Sequence, residues 1–505
     1  MTAETDTPHV LEPSSRPLPW VVGLLLILAL GTYLRFGDLS ARSLWYDELS
    51  TWHVSRLAFA DSLRWLPEVK MAPLYQVCLR GLTGDPRPAE WVLRLPAATA
   101  GVLAILAAFW LGKLGGGGWA VGCALAGLLA CNSLQLDYSQ EARPYTMLVL
   151  GGTLSVGLWY RLVVQPRSFY FFAYIVVATL TLHAHYLAVL TILAQACWWA
   201  LTWLFAPTRR RSLRPLAALV ITGVLCTPIV IRYFYFRSPV YQGLEWIPAL
   251  TWQRALEVLE QLTFGRAWVL VLLLPALLLW VVAWRGLRPK RLPRPGGQLF
   301  AGPHDLCGLL VVCFAFVYFG LVVISWIGQP LMVPRYALAA AVPVLLIPLL
   351  LAHRLDRRTP LLIMAFFVIG TAPAWLGRGA HLPGFREMAA YLNEHVDPQV
   401  DAVAVAIYDP SHPDVVECER LGFAYYPLER AEPYELWLGP DPDGMHHAVL
   451  QDPRALYLVV FEGEPEPLLE EAGRRLLPFV INGEAFSRLY FTPYRLIRVA
   501  PLSER

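Results

Sequence analysis

Charge is scarce in this chain: Lys, Arg, Asp and Glu make up 16% of its residues, against 56% hydrophobic ones. Soluble domains carry about 25% charged residues, so a water-soluble globular protein is excluded and a polytopic membrane protein is implied. Metal signatures are missing as well. No CxxC or HExxH spacing occurs, and no metal or other cofactor is expected from motifs of that kind. The eight cysteines build no disulfide framework. Cys123, Cys131, Cys197, Cys226, Cys307 and Cys313 fall within apolar runs, leaving only Cys78 and Cys418 as an unsupported candidate pair. No internal repeat stands out, and the sole low-complexity patch, Gly115 to Gly118, reads as a tight turn. The first apolar run has neither a strongly basic flank nor a convincing cleavage site, so it reads as a retained anchor. Nothing points to a nucleic-acid partner.

What is present is a series of apolar runs long enough to cross a bilayer. They lie at Trp20 to Leu34, Trp91 to Leu111, Trp119 to Leu134, Pro144 to Tyr160, Phe169 to His183, Leu187 to Phe205, Leu216 to Ile231, Trp268 to Trp284, Leu306 to Trp326, Val333 to Leu351 and Leu361 to Trp375. That predicts about eleven transmembrane helices. Basic residues concentrate in alternate connections: Arg209-Arg210-Arg211, the stretch Arg285 to Arg294, and Arg354 to Arg358. Cationic loops stay on the cytoplasmic side. Counting from them predicts a plasma (inner) membrane protein with a cytoplasmic N-terminus and an extracytoplasmic C-terminal segment.

Two domains follow. Residues 1–378 form the membrane part, with a long external loop over residues 37–90. Within that loop, Leu49 to Phe59 and Pro73 to Leu82 have the apolar periodicity of helices lying along a membrane surface. Residues 379–505 hold no further spanning run and are expected to form a small extracytoplasmic α/β domain. Its helix-like stretches are Arg386 to His395 and Pro467 to Leu477; its strand-like runs are Ala402 to Tyr408, Ala455 to Phe461, Arg488 to Phe491 and Leu496 to Val499.

Against so apolar a background, two polar clusters stand out, Leu44-Trp45-Tyr46-Asp47-Glu48 and Asp137-Tyr138-Ser139-Gln140-Glu141-Ala142-Arg143-Pro144-Tyr145. Ionisable residues at the ends of membrane spans are functional candidates by default. The predicted topology puts both clusters on the external face, where one site can use both.

Those strings, together with Ala72-Pro73-Leu74-Tyr75, Arg94-Leu95-Pro96 and Pro334-Arg335-Tyr336, resemble glycosyltransferase family 39 of the GT-C membrane enzymes. That group includes protein O-mannosyltransferases and lipid A aminoarabinose transferases. The resemblance runs in order through the membrane part, and Phe385 to Leu392 looks like the start of the soluble appendage of bacterial members. It implies transfer of a sugar from a polyprenyl-phosphate carrier to an acceptor, whether protein, lipid or polysaccharide, on the external face.

Under that resemblance, an acceptor hydroxyl must lose a proton as it attacks, and a positioned carboxylate is a natural base. Asp47 is the expected base; Glu48, its neighbour, is expected to orient the loop or meet the acceptor. The leaving lipid phosphate needs fixed donors, and Arg143, with Arg335 and Tyr336, is expected to supply them. Tyr138, Gln140 and Glu141 are expected to touch donor sugar or phosphate. Tyr46, Lys70, Tyr75, His183 and His185 are candidate cavity-lining residues. Met71-Ala72 stands where the family often has histidine or another polar residue, which weakens any metal site depending on that position.

Duller roles compete. Asp47 is also a common helix N-cap type, Arg143 and Arg335 suit snorkelling anchors, and the aromatics suit an interface belt. A lipid transporter or flippase, or a non-catalytic binding subunit, would share the spans. Spans almost free of charge, with polar signatures on a single face, argue against a transport cycle.

Overall fold

The computed structural model describes residues 18–68, 71–205, 212–236, 247–265, 306–376, 384–397, 401–407, 421–429, 434–437, 455–461, 486–491 and 494–499. In chain order its helices are α1 (Leu18–Phe36), α2 (Tyr46–Arg56), α3 (Phe59–Glu68), α4 (Leu74–Leu82), α5 (Glu90–Lys113), α6 (Gly118–Cys131), α7 (Ser133–Ser139), α8 (Tyr145–Val164), α9 (Ser168–Ala184), α10 (Ala188–Phe205), α11 (Arg214–Phe236), α12 (Trp252–Leu262), α13 (Leu306–Ile327), α14 (Pro334–Ala337), α15 (Ala341–Leu355), α16 (Thr359–Leu376) and α17 (Phe385–His395).

Among the described residues six helices are long and apolar enough to cross a membrane, or seven if the bent pair α6 and α7 forms one span. Three shorter apolar helices, Ser168–Ala184, Ala188–Leu204 and Thr359–Pro373, join them. The chain is a multi-pass membrane protein. Helices suit that setting because each satisfies its own backbone hydrogen bonds, and side chains such as Leu26, Phe172 and Phe366 stand exposed on the outside. The expected span Trp268 to Trp284 lies outside the described residues.

At the centre runs α6, packed against α1, α5, α15 and α16. Small residues permit this: a Cβ on Gly112 of α5 would lie 2.9 Å from the Gly122 Cα of α6, a close approach typical of membrane helix pairs. The helix ends at Asn132, where the chain bends by 62° into α7. A helix ending inside a bundle leaves carbonyls without partners. Buried Arg35 of α1 answers this by donating to Leu129 O and Ala130 O, each at 3.0 Å. Asn132 caps α7 by accepting from Gln135 N at 3.0 Å and donates to Thr263 O at 2.9 Å. The bend directs residues 137–144 to one end of the bundle.

At that end the long loop folds into α2, α3 and α4, where two surface helices were expected. They share an apolar cluster with the C-terminal segment: Leu49 and Trp52 of α2, Tyr75 and Leu79 of α4, and Leu93 of α5 meet Phe385, Met388 and Leu392 of α17. Beyond α17 five strands form one sheet in the order β2-β1-β3-β5-β4, with β1 Asp401–Ile407, β2 Tyr434–Trp437, β3 Ala455–Phe461, β4 Phe486–Phe491 and β5 Tyr494–Val499. β1 runs parallel to β2 and β3, while β5 runs antiparallel to β3 and β4. The helix expected over Pro467 to Leu477 and the cysteine at Cys418 lie outside the described residues.

Candidate active site

Asp47 and Glu48 are the second and third residues of α2, whose N-cap position is Trp45. Carboxylates are favoured there by the unpaired N–H groups and the helix dipole. Asp47 is therefore not the N-cap. On a helix, adjacent side chains diverge by about 100°, and these two go to separate partners.

Glu48 turns inward and is 1% exposed. Its Oε1 accepts from Arg94 Nε at 2.7 Å and its Oε2 from Arg94 Nη2 at 2.7 Å. It also accepts from Ala142 N at 2.8 Å and from Trp45 N at 3.4 Å. Glu48 thus joins the start of α2, the span α5 and the Glu141 loop. Every strong acceptor position of its carboxylate is used within the protein, which leaves little for a substrate.

Asp47 faces the other way, into a cluster of arginines. Its Oδ2 accepts from Arg335 Nη1 at 2.9 Å, and Arg143 Nη2 lies 3.7 Å from the same oxygen. Arg335 is the second residue of α14, fixed by Pro334 at the helix start. It lies over the rings of Trp45 and Tyr336, at 5.8 and 5.6 Å from their centroids, positions suited to cation–π attraction. Arg143 reaches from the loop before α8 to the Asp47 carbonyl and Thr51 Oγ1, both at 3.4 Å, and to Met71 Sδ at 2.9 Å. A row of rings runs behind the cluster: Tyr138 to Tyr145 at 5.0 Å, Tyr145 to His185 at 5.6 Å and His185 to Tyr336 at 6.1 Å.

Two titratable groups in connecting loops complete the setting. Burial pushes the Glu141 carboxyl up to about 8; Glu48 and Asp47 add to the rise, and Arg335 and Arg143 oppose it. Burial lowers the His185 imidazole to about 3, helped by Arg143 and Arg335. His185 is therefore neutral, and its Nδ1 accepts from Leu187 N at 3.2 Å. Trp45 Nε1, Arg143 Nε and Glu141 Oε2 are buried with no hydrogen-bond partner. Among the described residues no group of three His, Cys, Asp or Glu is arranged to hold a metal ion.

The structure brings together Asp47, Arg143, Arg335, Tyr336, Tyr138, Glu141 and His185, from elements far apart in sequence. It does not bring in Gln140, whose amide donates to Leu34 O at 3.0 Å and Gly37 O at 2.9 Å and so ties the end of α1. Tyr75 is also a correction: it is fully buried, with its hydroxyl on Leu93 O at 2.7 Å. His183 is occupied by Thr179 O at 2.9 Å. Tyr46 packs against the cluster of Leu44 and Trp52, and Lys70 lies outside the described residues. Four contributors were not expected: Trp45, Thr51, Met71 and Tyr145. The pairing of Glu48 with Arg94 was unforeseen too, although Arg94 is conspicuous as a charge in an otherwise neutral span.

Neither a family model nor a curated relative matches the chain. Solved structures do. ArnT from Cupriavidus metallidurans in the apo state aligns with a TM-score of 0.54 and 15% identity, over 97% of this chain and 99% of that one. The same protein bound to undecaprenyl phosphate aligns with a TM-score of 0.51 and 14% identity, over 96% of this chain and 98% of that one. An Archaeoglobus fulgidus oligosaccharyltransferase in the apo form aligns more weakly, with a TM-score of 0.49 and 12% identity over 84% of this chain and 65% of that one. The chain therefore shares the fold of the ArnT structures.

Proposed function

We propose that this chain is an integral-membrane glycosyltransferase that moves a sugar from a polyprenyl-phosphate-linked donor to an acceptor on the extracytoplasmic face. The observation that carries this reading is the Asp47 carboxylate held between Arg335 and Arg143 at one end of a membrane helix bundle. A base beside two phosphate-binding cations is the pair of functions such a transfer needs. The fold shared with an ArnT bound to undecaprenyl phosphate supports a lipid phosphate as the carrier.

In this reading the acceptor hydroxyl attacks the anomeric carbon, the bond from that carbon to the phosphate oxygen breaks, and its electron pair leaves with the lipid phosphate. Asp47 takes the hydroxyl proton. Arg143 and Arg335 meet the growing charge on the phosphate with preorganised donors, which contribute most where water is excluded. Without donor, Arg335 is paired with Asp47 and occupies its Oδ2. A phosphate drawing Arg335 to itself releases the carboxylate, so the base becomes competent once the donor is in place. Protonated Glu141 offers a hydrogen bond to a phosphate or sugar oxygen, and Tyr138, Tyr145 and Tyr336 wall the site. Glu48 acts by position, through Arg94 and Ala142.

The test is a transfer assay on the purified protein in nanodiscs with a panel of polyprenyl-phosphate sugars, beside an Asp47→Asn control. Release of free polyprenyl phosphate that requires Asp47 is expected. Tight lipid binding with no release from any donor, in the presence of varied acceptors, would favour a flippase or binding subunit instead.

A further inference from the structure

The loop before Asp47, residues 39–44, has no regular secondary structure that would satisfy its backbone, yet five consecutive carbonyls in it are bound by two arginines. From inside, Arg94 donates to Leu39 O at 2.5 Å, Arg42 O at 2.8 Å and Ser43 O at 3.2 Å. From outside, Arg386 of α17 donates to Ser40 O at 2.8 Å and Ala41 O at 3.0 Å, and also to Glu90 Oε2 at 2.8 Å. The next backbone group, Leu44 N, donates to the Tyr426 hydroxyl at 2.9 Å, which itself donates to Glu90 Oε1 at 2.5 Å. Beside it Tyr425 donates to Pro88 O at 2.5 Å and meets Trp52 of α2 edge-on at 5.0 Å. Trp45 and the start of α2 follow immediately.

We propose that Arg386 and Tyr426 are positioning residues for Asp47: the C-terminal module clamps the loop that sets the start of α2, and so fixes the carboxylate against Arg335 and Arg143. The inference rests on the reading of Asp47 as the base. Its physical basis is the number of independent anchors on a short segment. A loop held on one side only by Arg94 keeps Leu39, Arg42 and Ser43 in place but leaves Ser40, Ala41 and Leu44 N to water. The first turn of α2 then gains freedom at the point where Asp47 projects. Placement within about half an ångström matters for a proton transfer. A cleft of about 540 Å³ opens beside the clamp, lined by Ser40, Asp85, Arg87, Glu90, Arg386 and Tyr425, and includes none of Asp47, Arg143 or Arg335. It supplies the rival explanation, a module that binds acceptor in this cleft.

The experiment compares wild type, Tyr426→Phe, Arg386→Ala and Arg386→Lys in nanodiscs, with Glu394→Ala, an exposed change on the same helix, as control. Steady-state transfer is measured against donor and acceptor separately, and backbone hydrogen exchange is followed by mass spectrometry. Expected is a fall in kcat of about tenfold for Tyr426→Phe and more for Arg386→Ala, with partial recovery in Arg386→Lys. Both KM values stay within about twofold, and peptides over residues 39–52 exchange faster while those of α6 and α8 do not change. Tyr426→Phe removes one hydroxyl, which keeps the result informative even if Arg386→Ala fails to fold. Asp47-dependent transfer with unchanged kcat and unchanged exchange in the variants overturns the clamp and leaves the glycosyltransferase reading standing. A rise in acceptor KM alone overturns it in favour of acceptor binding in the cleft. Absence of Asp47-dependent transfer in wild type overturns both.

Discussion

Arg94 grips Glu48 through two hydrogen bonds of 2.7 Å, one to each carboxylate oxygen, with both side chains almost fully buried. This fork joins the long loop that carries α2 to the span α5 that follows it. It also divides the labour of two adjacent carboxylates: Glu48 is committed to the scaffold, and Asp47 is left facing the arginine cluster.

Breaking the fork from one side strands a buried charge, which costs about 3–5 kcal/mol. Glu48→Ala and Arg94→Ala are each expected to lower the thermal unfolding midpoint of the detergent-solubilised protein by several degrees. The double variant should lose less than the sum of the two, because neither charge is then left alone. A double-mutant cycle of unfolding midpoints reads the coupling directly; strictly additive losses would contradict it.

Asp47→Asn separates the base function proposed for Asp47 from lipid binding. Loss of the base should cut transfer about 10²–10⁴-fold. Affinity for polyprenyl phosphate is expected to rise several-fold, because Arg335 no longer has a carboxylate at 2.9 Å competing for its Nη1. Single-turnover transfer and equilibrium lipid binding on the same preparation check both. Weaker binding in Asp47→Asn would show that Asp47 contacts the ligand favourably rather than competing with it.

Arg335 carries a charge and a fork. Arg335→Ala should weaken polyprenyl phosphate binding about 10- to 100-fold, the range of a lost charge-assisted contact. Arg335→Lys keeps the charge but loses the planar geometry, so binding should recover only in part while kcat stays low. Titration of the lipid phosphate at two salt concentrations tells these apart: the Ala variant loses part of the salt dependence, Arg143 still supplying its share, and the Lys variant keeps it in full.

Much of this was legible because polar residues are so scarce in the chain. Against apolar spans, Trp45-Tyr46-Asp47-Glu48 and the string ending at Arg143 could not hide, and their shared face followed from where the arginines of the other loops fall. The separate fates of Asp47 and Glu48 were also foreseeable in outline, since neighbours on a helix diverge. Their partners were not. Arg94 lies 46 positions from Glu48, and Arg335 lies 288 positions from Asp47; only packing of α5 and α14 brings them near. Gln140 misled for the same reason, sitting inside a functional string while its amide serves the end of α1. The bond from Leu44 N to Tyr426, across 382 positions, has no local signature at all.

Glu141 gives the pH dependence its sign. Its carboxyl is raised in the folded protein to about 8, first by burial and then by Glu48 and Asp47. A group raised on folding contributes stability that is full below its unfolded value, about 4.3 for Glu, and lost as pH rises through the folded value. His185 works in the opposite sense: lowered to about 3, it contributes stability above its unfolded value, about 6.5, that fades as pH falls. The two therefore separate in a window above the histidine range. Between about pH 6.5 and 9 the His185 contribution is constant, and the unfolding midpoint of wild type should fall as Glu141 ionises beside Asp47. Glu141→Gln cannot ionise, so its midpoint should be flatter over that window and should exceed that of wild type at the alkaline end. Parallel curves for the two proteins would mean that Glu141 is already ionised at neutral pH and offers no proton to a donor oxygen.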